Sequence, residues 1–348
     1  MLTTGNYQEL LEEVRAAGLM DPRRGYYAAK IAVNLVLTAS CWIAVAVVGA
    51  SWWQLAVAVA MGLVLLQSGF LGHDAGHKAI TTARGPAELL GLIHLNLLLG
   101  AANGWWVQHH NRHHSDPNNL DRDPDTVRRQ VIFDVSELPA KAGTPWRRFI
   151  IRHQSAMFFA LLPQEAYRIR AAGFRAARAG ALRRPVLELS LLTIHIGLFS
   201  GAVFWLLPFW HALAFLAVSQ VVLGIGLGAV FAPNHKGMLT HRDADDLDWL
   251  HRQVLTSRNI RSGRAIDFLF GGLNHQIEHH LFPAMPRINL PRARPIVRAY
   301  CTRHTIPYTE VSLWTSYRQV AHHLHAVSAQ ANARTPATSI PTQDSHLS

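Results

Sequence analysis

Eight of the chain's 21 histidines stand at spacings that serve a metal. His73 and His77, in the run HDAGH, are four residues apart. His110, His113 and His114, in HNRHH, follow an i, i+3, i+4 pattern, and QIEHH repeats it over Gln276, His279 and His280 with Gln in first place. His235 stands apart, three residues beyond a long apolar run. Residues three and four apart are neighbours on a helix surface, so each box turns its imidazoles to one side. A neutral imidazole offers a metal one lone pair. Octahedral geometry takes six ligands at most, so one ion cannot use eight imidazoles. Two ions can, each with three to five nitrogens and one position left open to dioxygen. Imidazole suits iron, zinc and copper alike, so the residues give the number of metals better than their identity.

Other polar residues near the boxes have supporting roles to fill. Ligating imidazoles need acceptors that fix their tautomers. Asp74, Glu278 and the acidic run Asp116, Asp121, Asp123 and Asp125 are the candidates, though a Pro/Asn-rich turn of this kind is also an ordinary solvated loop. Asn234, beside His235, is placed to hold a metal-bound water. Gln276 either ligates through its carbonyl oxygen or holds a water. His109 and His275 each directly precede the first member of a box and so point about 100° away from its face; they are expected as neighbours, not ligands. His94 and His195 lie in apolar segments and read as packing residues. His211, His241, His251 and His304 read as interfacial or surface residues, and His322, His323 and His325 as part of a tail.

The elements that must position these groups are membrane helices. Runs 31–50, 53–70, 186–207 and 209–232 are apolar and free of Lys and Arg, and as helices each extends roughly 27–36 Å, the thickness of a bilayer core. They form two hairpins whose connections at 50–53 and 207–209 carry no basic residue. The 33 Lys and Arg fall instead as 4 in residues 1–30, 16 in 73–185 and 13 in 232–348, which puts both termini and both large polar segments in the cytoplasm. Spans two and four then descend in the same direction, so that His73 and His235 emerge at nearly the same height. Continuation of the helix past Phe70 would carry box one about 10 Å further. The expected fold is an all-α integral membrane protein with four transmembrane helices and a cytoplasmic helical cap, residues 73–185 and 233–320, holding a histidine-rich two-metal site.

Composition excludes several other classes. The net charge of +11 has the distribution of a membrane face attracted to anionic headgroups and comes with no nucleic-acid motif, so nucleic acid is not an expected partner. Two cysteines, Cys41 and Cys301, rule out a disulfide framework, a cysteine-bound cluster and a structural zinc site. Ligands gathered at one boundary, not at mid-membrane, argue against a metal transporter or a haem-binding membrane protein. The glycines of 224–228 lie in an apolar span without a flanking strand, which favours close helix packing over a dinucleotide loop. Residues 7–20 read as an amphipathic helix on the membrane surface. Segment 89–102 is apolar but too short to span, hence interfacial or re-entrant. Residues 1–320 read as one domain, followed by a disordered tail, 321–348.

HDAGH, HNRHH and QIEHH, with the stretches FAPNHKGM and QVLTSRN, resemble the membrane fatty acid desaturases over about residues 10–310. The likeness is strongest to the bacterial acyl-CoA or acyl-lipid branch related to front-end desaturases, whose third box begins with Gln. It implies a non-haem centre of two iron ions that uses dioxygen and two electrons to insert a double bond into an acyl chain. It carries over His73, His77, His110, His113, His114, His235, His279 and His280 as ligands. His275 departs from the family pattern, which usually has an aromatic residue there, and this leaves open whether His275 replaces Gln276 as a ligand. A related di-iron hydroxylase acting on a lipid is the alternative. The implied partners are a fatty acyl-CoA or acyl-lipid substrate and an external electron donor, a ferredoxin or flavin reductase, docking on the basic face of a multi-pass protein of the cell's inner membrane. Phe70, Trp105, Trp106 and 95–99 are candidate lining for a dry substrate tunnel, or else ordinary interfacial packing. The arginines of 147–184 suit a substrate phosphate or simple interfacial anchoring.

Overall fold

The computed structural model describes residues 6–127, 131–141, 143–243, 245 and 247–334. Among the described residues four helices are long and apolar enough to cross a bilayer: Arg24–Val48, Gln54–Gly76, Pro185–Leu206 and Phe209–His235. These are the expected spans one to four, and the chain is a membrane protein. Spans two and four overrun the apolar runs that define them, to Gly76 and His235, so each delivers histidine on its last turn. Glycine lets these two helices approach closely. A Cβ at Gly62 would lie 2.8 Å from the Ser219 carbonyl oxygen, and one at Gly226 would lie 2.6 Å from a Leu66 methyl group. The close packing expected of the 224–228 glycines is thus present. In the first hairpin the Gln54 amide closes the turn by donating to the Val45 carbonyl at 2.7 Å.

Between the hairpins, a helix over Arg84–Gly91 passes into a π-helix over Leu92–Leu99, and after a break bends by 107° into Asn103–Ser115, the helix of box two. Gly100, at φ +83°, makes the reversal. Of the two expectations for this segment, interfacial or re-entrant, the bend fits the second. Glu188, at the start of span three, holds its far side: its carboxylate accepts from the Gly104 amide at 2.7 Å, and its carbonyl accepts from the Asn96 side chain at 3.1 Å. Box two therefore starts where a membrane helix ties it.

Helices Trp249–Leu255, Gln276–Leu281 and Leu290–Arg303 build the cap over the histidines. Two short parallel strands, with Asn259 opposite Glu310 and Ile260 opposite Val311, tie it together. The amphipathic helix Tyr7–Ala16 does not lie on the bilayer as expected. Its Leu10, Leu11 and Val14 are buried in this cap against a core that includes Ile277, Leu281, Val297 and Tyr300. A buried apolar stripe looks the same in sequence whichever apolar surface covers it.

The tail expectation also needs correction. A helix runs over Leu313–Arg334, with Val320 and Leu324 packed against Val131, Phe133 and Ile150, and Val327 and Ala331 against Ile132 and Ile151. Its first residues belong with the cap; 335–348 lie outside the described residues.

Candidate metal centre

The eight box and span-end histidines converge in one cluster; seven are buried, at 9% exposure or less, and His77 is partly buried with its Nε2 enclosed. His73, His77, His110 and His279 form one group, and His113, His235 and His280 a second; within each group one nitrogen from each ring lies within 4.8 Å of the others. His114 stands between the two, its ring centroid 4.2 Å from that of His280 and 4.5 Å from that of His110. Trp106 stacks on His110 at 4.5 Å and closes one side of the cluster with apolar surface.

The backs of the rings are tied to acceptors. His73 Nδ1 is 3.1 Å from Asp74, His113 Nδ1 is 3.0 Å from Asp123, and His280 Nδ1 is 2.9 Å from the Gln253 side-chain oxygen. His235 Nδ1 donates to the Thr256 carbonyl at 3.0 Å. An Nδ1 that donates leaves Nε2 as a lone pair. The other ends of the rings meet one another. His110 Nε2 is 3.1 Å from His73 Nε2 and 3.0 Å from His114 Nε2, while the buried Nε2 atoms of His77, His279 and His280 have no hydrogen-bond partner. Buried nitrogens without partners are costly, and so many aimed at one another fit a site for cations. Burial and the surrounding imidazoles push His279 and His280 well below the usual histidine range, which keeps them neutral and able to ligate.

Several supporting residues lie where the sequence could not place them. Asp74 is next to His73, and its second oxygen accepts from Arg287 and from the Tyr27 hydroxyl. Gln253 joins boxes two and three by donating to the His114 carbonyl at 3.0 Å. Asn118 donates to the His235 carbonyl at 3.0 Å. Tyr27, Arg287, Gln253, Thr256 and Asn118 escape sequence reading because each meets the boxes through the folded chain, at no regular spacing from a ligand.

Glu278, expected behind a ligand, is bonded elsewhere. Its carboxylate accepts from Asn259 and Tyr308, both at 2.7 Å, and burial pushes it up to about 7. Asn234 donates to Gln276, whose amide lies against His235. Asp116 and Asp121 pair with Arg252 and Arg242, while Asp125 faces His109 at 3.2 Å. His275 is fully buried outside the cluster, 3.7 Å from Asp267, and burial lowers it to about 4. His94 and His195 pack as expected, against Ser68 and the Leu97 carbonyl. His241 and His251 are buried, contrary to expectation: His241 meets the Pro117 carbonyl at 3.1 Å and His251 meets Asp248 at 2.6 Å.

Comparison with known proteins bears directly on this geometry. The family model described as fatty acid desaturase matches residues 50–312, which include every box. The chain belongs to the fatty acid desaturase family. It is similar to the acyl-lipid (9-3)-desaturase of Physcomitrium patens, with 31% identity over 326 residues, 90% of this chain and 60% of that protein. It is also similar to Delta(8)-fatty-acid desaturase 2 of Arabidopsis thaliana, with 29% identity over 89% of this chain and 71% of the relative. A Delta(5) fatty acid desaturase of Caenorhabditis elegans is 28% identical over 90% of this chain and 71% of the relative. The chain thus spans 60% of the first of these desaturases and 71% of the other two.

Proposed function

We propose that the chain is an oxygen-dependent fatty acyl desaturase whose eight clustered histidines hold two iron ions. The reading is carried by two adjoining groups of buried imidazoles whose Nε2 atoms face one another while four of the Nδ1 atoms are bound from behind. His73, His77, His110 and His279 would hold one ion, and His113, His235 and His280 the other, with His114 the eighth nitrogen between them. Two irons, given dioxygen and electrons, supply an oxidant strong enough for an unactivated methylene, which no side chain provides.

The protein's own work is placement and exclusion of water. Asp74, Asp123, Gln253 and the Thr256 carbonyl hold ring tautomers and angles, so that the lone pairs are set before any ion arrives. Trp106, Phe70, Leu95 and Leu99 give the membrane side of the site apolar surface against which an acyl chain lies dry. The substrate is a fatty acyl chain linked to lipid or coenzyme A; the chain's similarity to an acyl-lipid desaturase and a fatty-acid desaturase supports this class. The termini and the site face the cytoplasm of a bacterial inner membrane, where a ferredoxin or flavin reductase delivers electrons to the basic side.

Purified protein loaded with ferrous iron should carry two irons per chain and no haem. Supplied with reductant and acyl substrate, it should yield a product two hydrogens lighter. One metal per chain with full activity would end the two-metal reading. A product heavier by one oxygen would make the chain a hydroxylase of the same superfamily.

A further inference from the structure

Gln276 occupies the first place of the third box, where its side-chain amide could face the metals with either end. Its neighbours settle which. The Asn234 side-chain nitrogen is 3.1 Å from the Val230 carbonyl oxygen and 3.0 Å from the Leu273 carbonyl oxygen. Neither carbonyl can donate, so Asn234 must turn its NH2 toward them. The same nitrogen lies 2.9 Å from Gln276 Oε1, so its two hydrogens are shared among three acceptors. Gln276 therefore gives its oxygen to Asn234 and its NH2 to the cluster, with Nε2 3.0 Å from His235 Nε2. The other end of this chain of contacts agrees. His235 Nδ1 faces the Thr256 carbonyl at 3.0 Å, which only accepts, so His235 Nε2 is a lone pair and suits the Gln276 N–H. Asn234 and Gln276 are 0% and 1% exposed, so water does not compete for these bonds.

We infer that Gln276 is not a metal ligand but a hydrogen-bond donor aimed at the open position of the ion held by His113, His235 and His280. The inference rests on the two-metal reading. A cation on His235 Nε2 takes the lone pair to which this N–H donates. The buried donor then needs another acceptor, and leaving it without one is costly. What satisfies it is a small ligand with an acceptor atom at that position. Ligation by the Gln276 carbonyl would instead turn its NH2 toward the Asn234 nitrogen and give up the 2.9 Å contact that nitrogen makes with Gln276 Oε1. The arrangement makes the two sites unequal. With His114 between them, one group has four imidazoles and the other three imidazoles and an N–H donor, and that donor marks the second as the place where an exogenous ligand binds.

Azide is the probe, because it binds ferric iron at an open position and its terminal nitrogen accepts hydrogen bonds. Wild-type protein, Gln276→Leu and Gln276→Glu would be loaded with iron, assayed for metal, oxidised and titrated with azide by absorbance. Gln276→Leu removes both ends of the amide, while Gln276→Glu keeps the acceptor for Asn234 and removes the N–H. Both variants should retain two irons per chain, with azide bound at least about tenfold more weakly, the loss expected for one hydrogen bond to a charged ligand. Loss of one iron in Gln276→Leu would show the residue to be a ligand and overturn the inference. Wild-type azide affinity in both variants, with both irons present, would overturn it equally. A wild-type chain that never holds two irons would refute the underlying two-metal reading, a result told apart by the metal assay alone.

Discussion

Asp74 is shared between His73 and Arg287: one carboxylate oxygen is 3.1 Å from His73 Nδ1, and the other accepts from the Arg287 guanidinium, 213 residues along the chain. The Tyr27 hydroxyl donates to that second oxygen at 2.7 Å, and Arg287 also donates to the Phe70 carbonyl. The cap is thereby bound to the end of span two at the position of the first box, and the charge of Asp74 is balanced without drawing on a metal.

Removing one member of a buried ion pair leaves an uncompensated charge and typically costs about 3–5 kcal/mol. Arg287→Leu should therefore lower the unfolding midpoint in detergent and reduce bound iron, since His73 loses a fixed acceptor. The double variant Asp74→Asn, Arg287→Leu should recover part of the stability and less of the iron. A double-mutant cycle on thermal unfolding, with metal assayed in each member, measures both. Additive losses would mean that the pair is not coupled.

His275 and His279 give a contrast within one short segment. His279 lies in the cluster with its ring centroid 4.7 Å from that of His73, while His275 is buried beside Asp267. His275→Phe, which replaces the imidazole with an aromatic ring, should keep two irons and most activity. His279→Ala should lose iron from the four-histidine site and all turnover. Metal analysis of the two purified variants decides it, and iron loss in His275→Phe would reverse the assignment.

The boxes were legible because ligation from a helix demands i, i+3 and i+4 spacing, and the spans because 18 or more apolar residues have few other fates. The second layer was not legible. Tyr27 meets Asp74 across 47 residues and Gln253 meets His280 across 27, separations on which local pattern is silent. His251 was misread because its polar neighbours, Asp245, Asp248 and Arg252, look solvated in sequence although the ring is only 3% exposed. The helix Leu313–Arg334 was missed because its buried stripe, Val320, Leu324, Val327 and Ala331, is a sparse i, i+4, i+7 series diluted by Ala, Ser and His. Glu278 shows the converse limit: its place beside two ligands suggested a partner for them, and its bonds run to Asn259 and Tyr308 instead.

Span four depends on glycine where the connection after Leu161 crosses it. A Cβ at Gly224 would sit 2.2 Å from the Pro163 carbonyl oxygen, a backbone atom that cannot rotate away. Gly224→Ala should destabilise the protein by about 1–3 kcal/mol, the usual range for overpacking. Gly197→Ala in span three, where a Cβ meets nothing within 4 Å, should be close to neutral. Thermal unfolding of both in detergent is the measurement, and equal midpoints would show that the contact relaxes freely.

The last prediction concerns electron supply. Desaturation needs two electrons beyond those taken from the substrate, and a carrier must bring them to the side of the membrane where the histidines lie. The 33 basic residues stand outside the two uncharged hairpin connections, and Arg318, Arg258 and His322 line a recess together with Gly237, two residues from His235. An acidic carrier would be steered toward such a face, and steering of this kind weakens as salt screens the charges. Turnover by purified protein with a reduced acidic ferredoxin should therefore fall as ionic strength rises, through KM for the carrier more than through kcat. Arg318→Glu should raise that KM and flatten its salt dependence. Turnover driven by a small uncharged reductant should respond to neither change. A carrier KM indifferent to both salt and Arg318→Glu would remove the basic recess as the docking face and leave the electron route to another surface.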